Sequence, residues 1–259
     1  MTAVWSRRHY VSLGSSFAAG PGIAPRTTDR PRKAGQSQRN YPHLLADRLD
    51  LDLVDATSSG ATALDIMTRS QFGQPPQIEA VTTATRLVTL TIGGNDLGYL
   101  PSLYEACMPR WLKHMPGIAD RVRRAAEPSQ DPDRRTHLTD TLVRVVSEVR
   151  RRAPEAVVIC VDYLTVLPPT FRAGLPLNPA RHRDLLALTN DLNSAIAAAA
   201  RNQDVGLVAA SQHSVDHHAW SADPWTTGWS WLGLSRAAVF HPNASGMAEI
   251  TTMVLEMIT

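Results

Sequence analysis

Five short apolar runs punctuate this chain: His9–Leu13, Leu51–Asp55, Leu87–Ile92, Ala156–Tyr163 and Val205–Ala209. They are rich in Val, Leu and Ile, and most lack clean alternation of apolar with polar residues. A strand with one wet face alternates; a strand covered on both faces does not need to. The runs therefore predict a parallel sheet sandwiched between helices. Helical patterns fall between them at Tyr41–Leu49, Ile78–Thr85, Leu138–Arg152, Arg181–Asn202 and about Ala244–Ile258. In Arg181–Asn202, Leu185, Leu188, Leu192 and Ile196 recur at helical spacing ahead of an alanine-rich end. Strand alternating with helix implies a doubly wound α/β sheet with right-handed crossovers. No internal repeat or boundary divides the chain, so residues 1–259 are expected to form a single domain.

Charge and cysteine usage narrow the function classes. A formal net charge of +2 over 259 residues gives no electrostatic case for nucleic acid as a partner. Arg121, Arg123, Arg124, Arg134, Arg135, Arg150, Arg151 and Arg152 interleave with apolar positions and read as a solvated helix face. No apolar stretch approaches the ~20 residues that cross a bilayer. The amino terminus, MTAVWSRRHYVSLG, lacks a signal-peptide pattern and runs directly into the first strand. Cys107 and Cys160 do not make a disulfide framework: Cys160 reads as a buried strand residue and Cys107 as part of a loop. A reducing cytoplasm is the simplest compartment, although a secreted chain stripped of its export signal would look the same.

In an open α/β sheet, ligands bind beyond the carboxyl ends of the strands. Four blocks stand there. Ser16, in YVSLGSSFAAGPG, follows the first run by a few residues and is either a nucleophile near a helix start or a helix cap. Gly60, in DATSSGAT, follows the second run and is either a turn glycine or a backbone N–H offered to a ligand. Asn95, in TIGGNDLG, follows the third, where its amide could donate to an oxyanion or, with Asp96, stabilise a turn. His241, in FHPNASGM, precedes a final helix that Asn243 is placed to cap. Three irregular stretches, Ala24–Gln38, Gly98–Asp133 and Gln212–Ala238, carry no readable code. The last contains Trp220, Trp225, Trp229 and Trp231, which either anchor a loop to the core, the preferred reading, or line an acyl pocket. Asp216, His217 and His218 make too weak a string to predict a metal. Gly-x-Ser-x-Gly, His-Glu-x-x-His and P-loop strings are absent.

Ser, Gly, Asn and His, in that order and each after a strand or in a loop, resemble the SGNH hydrolase superfamily, the GDSL-type esterases and lipases. Within it the chain is most similar to the actinobacterial secreted branch. The resemblance spans about Tyr10 to Met247. It implies a three-layer α/β/α, flavodoxin-like fold with a five-stranded parallel sheet. It implies hydrolysis of small-molecule carboxylic esters through an acyl-enzyme, with no cofactor and no metal. By the same resemblance Ser16 matches the nucleophile and His241 the base. The N–H groups of Ser16 and Gly60 and the side chain of Asn95 match the oxyanion hole.

The chain departs from the family pattern twice. Ser15 stands where the first block usually has Asp, and Ala238 stands three residues before His241, where many members place the acid that orients the imidazole. The first-ranked expectation is a Ser–His dyad whose ring is held by a backbone carbonyl near Ala238. The second is a substitute acid, Asp216 or Asp223; the third is an inactive protein. Two other functions stay open: O-deacetylation of a carbohydrate or small metabolite, and a catalytically inactive binding protein of the same fold.

Overall fold

A computed structural model describes residues 5–109, 111, 117–229 and 238–259. Its strands are β1 (His9–Gly14), β2 (Asp52–Asp55), β3 (Thr85–Thr91), β4 (Val157–Val161) and β5 (Gly206–Val208). They form one five-stranded sheet in the order β2-β1-β3-β4-β5, every pairing parallel. The helices are α1 (Ser16–Ala19), α2 (Tyr41–Leu49), α3 (Ala63–Met67), α4 (Tyr99–Cys107), α5 (Ile118–Ala126), α6 (Pro132–Arg152), α7 (Pro179–Asn202), α8 (Ala210–His213) and α9 (Ala244–Ile258). None of the described helices is long and apolar enough to cross a membrane.

Side-chain alternation along the strands divides the core into two layers. Val11, Leu13, Val88, Leu90, Val158 and Cys160 join one cluster, which includes Leu138, Leu142, Val145 and Val149 of α6 and Leu185 and Leu192 of α7. Tyr10, Leu87, Ile159 and Val161 point the other way, into a cluster with Tyr41, Leu45 and Leu49 of α2 and Ile250 and Val254 of α9. Both faces are dry, which is why the sequence runs lack alternation. The strand order reverses direction between β1 and β3, so their carboxyl ends bound the crevice where ligands bind in such sheets.

Several expectations need correction. Ile78–Thr85 is not a helix: a single 3₁₀ turn, Gln77–Ala80, leads into β3 from Thr85. Pro75 and Pro76 precede that turn and the β-branched run Val81-Thr82-Thr83 follows it, leaving no room for helical bonding. Cys107 ends α4 and is buried, rather than lying in a loop. Helices α6 and α7 begin earlier than periodicity suggested, at Pro132 and Pro179; Asn178 caps α7 by accepting from Arg181 N–H at 2.9 Å. Asn243 caps α9 as expected, accepting from Gly246 N–H at 2.9 Å.

Candidate active site

Ser16 stands at the carboxyl end of β1 as the first residue of α1, with 4% of its surface exposed. The strand gives way to a sharp turn held from both sides. Ser15 N–H donates to Thr91 O at 2.9 Å, fastening the turn to β3. On the β2 side the buried Gln77 amide takes both polar groups of Gly14, accepting from its N–H at 2.8 Å and donating to its carbonyl at 3.0 Å. Gln77 thus does for β1 what a further residue of β2 would do, because β2 stops at Asp55, opposite Ser12. Within α1 the first intrahelical bond is Ala18 N–H to Ser15 O, so the N–H of Ser16 precedes the helical ladder.

Ser15 is the N-cap of α1, yet its hydroxyl makes no capping bond. It lies 3.2 Å from the Tyr163 hydroxyl, whose oxygen also accepts from Gly94 N–H at 2.9 Å. Tyr163, just past β4, therefore ties the turn before Ser16 to the turn before Asn95. Gly94 is required by close approach: a Cβ there would lie 2.8 Å from the Tyr163 ring. Tyr163 was invisible as a site residue in the sequence, where it reads as the end of an apolar run.

Asn95 donates through Nδ2 to Ala61 O at 2.8 Å, which brings the third block against the second. An amide carries two N–H donors, so the second remains for another acceptor. The carboxylate of Asp96 accepts from Ala63 N–H at 3.1 Å, fastening the start of α3 to the same turn. Gly60, beside Ala61, has φ +79°, and a Cβ there would meet only ordinary contact, with Gln71 Nε2 at 3.7 Å. Glycine is needed here for the left-handed backbone, not for lack of room.

His241 reaches the crevice from the loop before α9. Thr227 N–H donates to His241 O at 2.8 Å and Phe240 N–H to Thr227 O at 3.0 Å, while Thr226 and Pro242 form an antiparallel bridge. The ring is 5% exposed and its centroid lies 5.6 Å from that of Phe17, the neighbour of Ser16. Its Nδ1 is 2.9 Å from Val239 O. That carbonyl is one residue along from the expected position near Ala238. Burial pushes the imidazole down to about 4, against a smaller upward pull from the Val239 bond. The ring is therefore neutral across ordinary pH, with the proton on Nδ1 where the carbonyl can accept it.

Neither substitute acid reaches this ring in the structure. Asp223 faces His217, with Oδ2 3.2 Å from His217 Nδ1 and the Asp223 backbone carbonyl 2.8 Å from the same atom. His217 in turn stacks on Trp225 at 3.9 Å. Asp216 stands in the 3₁₀ turn Val215–His217 beside it. His218 Nδ1 accepts from Trp220 N–H at 3.1 Å. Among the described residues no group of three or more His, Cys, Asp or Glu side chains could hold a metal ion. Trp220 and Trp229 pack on Phe240 at 5.9 and 6.2 Å, which favours the anchoring reading over a free acyl-pocket wall; Trp231 lies outside the described residues. A cleft of about 340 Å³ beside β2 adjoins the nucleophile turn through Gln77 and Ser58 and is lined by none of the four block residues.

Known proteins resemble this chain along most of its length. The model of the GDSL-like Lipase/Acylhydrolase family matches residues 12–249. Lipase 2 of Streptomyces coelicolor is 35% identical, over 95% of this chain and 85% of its own length. Two solved structures share the fold. One is phospholipase A1 from Streptomyces albidoflavus NA297 (TM-score 0.77, 21% identity, 97% of this chain and 99% of that one). The other is an extracellular lipase from Streptomyces rimosus (TM-score 0.76, 22% identity, 96% and 99%). A family model over most of the length, and a named lipase at this identity, place the chain: it belongs to the GDSL-like lipase/acylhydrolase family, in the actinobacterial SGNH branch, and is a carboxylic ester hydrolase.

Proposed function

We propose that the protein hydrolyses carboxylic esters through a Ser16–His241 dyad. Ser16 Oγ attacks the ester carbonyl carbon as His241 Nε2 takes the hydroxyl proton. The C=O π electrons move onto the oxygen, which the N–H groups of Ser16 and Gly60 and the Asn95 amide receive. The tetrahedral intermediate collapses, the alcohol leaves with the proton from His241, and Ser16 is left acylated. Water, deprotonated by His241, attacks the acyl group in turn, and a second collapse releases the carboxylic acid and restores Ser16. No metal or cofactor is needed to balance these steps.

The observation that carries this reading is the 2.9 Å contact between His241 Nδ1 and Val239 O. It supplies what the missing acid would supply, a fixed tautomer and ring orientation with Nε2 left as the base. The link from Asn95 to Ala61, beside Gly60, supports a common oxyanion site. An ester with an apolar acyl half is in keeping with the lipases among the relatives. The description of the S. rimosus enzyme as extracellular favours action outside the cell over the cytoplasm. A fluorophosphonate probe tests the mechanism: it should label the wild-type protein at Ser16 and leave Ser16→Ala unlabelled. A folded wild-type sample that resists labelling overturns it. A series of p-nitrophenyl esters from acetyl to palmitoyl, run beside acetylated sugars, then identifies the acyl half.

A further inference from the structure

We infer that Tyr104 is a positioning residue for the catalytic base, acting through the Val239 carbonyl; the inference rests on the Ser16–His241 reading. A backbone carbonyl has two lone pairs. One faces His241 Nδ1 at 2.9 Å, and the other accepts the Tyr104 hydroxyl at 3.0 Å. Tyr104 belongs to α4, 135 residues away in sequence. Its bond fixes from outside the loop the carbonyl that orients the imidazole. A carboxylate in this role needs anchoring, and a loop carbonyl needs it more, since peptide rotation can turn it away.

Phe240 shows why the anchor matters. It lies between Val239 and His241 with φ +59°, a left-handed conformation that costs a bulky residue free energy. That bend returns the chain on itself, so that the carbonyl of Val239 meets the ring two residues on. Left unsupported, the segment would relax toward ordinary φ and carry the carbonyl off. Tyr104 opposes this twice, by its hydroxyl bond and by its ring, which stacks on the fully buried Phe240 at 5.9 Å and 27°. Burial also pushes the Tyr104 phenol far above its usual range, so the hydroxyl is a donor at every working pH.

The test is Tyr104→Phe, which keeps the stacked ring and removes only the hydroxyl. kcat should fall about tenfold, the scale of one ordinary hydrogen bond lost from the transition state, with KM unchanged. Fluorophosphonate inactivation should slow by a similar factor. In proton NMR the downfield His241 Nδ1–H resonance of the wild type should broaden or move upfield. Wild-type kcat with an unchanged Nδ1–H signal overturns the proposal, even if the thermal midpoint drops, because that is the signature of a merely structural role. The wild-type spectrum offers a check without any variant: the Tyr104 hydroxyl proton should exchange slowly, and rapid exchange counts against the proposal. His241→Ala separates the two levels. If it keeps activity, the dyad itself fails; if it is inactive while Tyr104→Phe behaves as wild type, only the role of Tyr104 fails.

Discussion

At the scale of single residues, the unusual feature is that His241, the proposed base, is held by a backbone carbonyl, with no carboxylate on its ring among the described residues. The Val239 carbonyl is neutral and cannot pair a full charge with the imidazolium, and burial disfavours that charge further. The base should therefore stay unprotonated well below the ordinary histidine value. The acidic limb of kcat/KM is expected near pH 4 rather than 6.5, as a pH–rate profile on a soluble ester will show. Asp223→Ala and Asp216→Ala should each keep most of the activity, since Asp223 serves His217; a loss of several orders of magnitude in either would restore the acid hypothesis. Asn95→Ala should lower kcat by roughly 10²–10³, the usual effect of removing one oxyanion donor. It also deprives Ala61 O of its donor, so the thermal midpoint should fall as well.

Among the elements, the 3₁₀ turn Gln77–Ala80 has a role out of proportion to its length. It extends the hydrogen bonding of β1 past the end of β2 and so holds the nucleophile turn. Gln77→Glu tests this with a pH handle. A protonated glutamic acid can still donate to Gly14 O and accept from Gly14 N–H. An ionised one cannot donate, and it is buried. The variant's folded-state pKa is thus raised, so its stability holds at low pH and is lost as pH rises. Thermal unfolding should show a variant close to wild type near pH 4 and clearly weaker at pH 8. Equal deficits at both values would mean that size and packing, not the paired bonds, matter at this position.

The whole molecule responds to pH through two buried groups whose effects have opposite sign. Asp162, at the end of β4, accepts from Ser211 N–H at 2.8 Å and Ser211 Oγ at 2.6 Å, yet burial outweighs these bonds and pushes its carboxyl up to about 6. A folded value above the unfolded 3.8 means stability that is present at low pH and lost as pH rises through about 6. His241 has the opposite sign: its folded value of about 4 lies below the unfolded 6.5, so stability is lost as pH falls across that window. Asp162→Asn isolates one contribution. The variant's thermal midpoint, relative to wild type, should rise between pH 4 and pH 7; a difference independent of pH would mean that Asp162 titrates at its ordinary value.

The fold class was legible in the sequence because burial on both faces of a parallel sheet leaves unalternating apolar runs that no neighbour can disguise. The places of the four block residues, at strand ends and in turns, were legible because those are local features. The turn at Gln77 escaped because a single 3₁₀ turn has too few residues to show a period. What holds the site together was not legible: Tyr163 joins Ser15 to Gly94, Gln77 clamps Gly14, and Tyr104 meets Val239, each across dozens of residues. A hydrogen bond to a backbone carbonyl leaves no mark on residue identity at the acceptor, so sequence could rank the group that orients His241 but not single it out. By itself the sequence determined which groups are available for the proposed chemistry, since nucleophile, base and amide donor are properties of side chains. Only the tertiary structure decided how the base is held, because orientation depends on which chain segments meet in space.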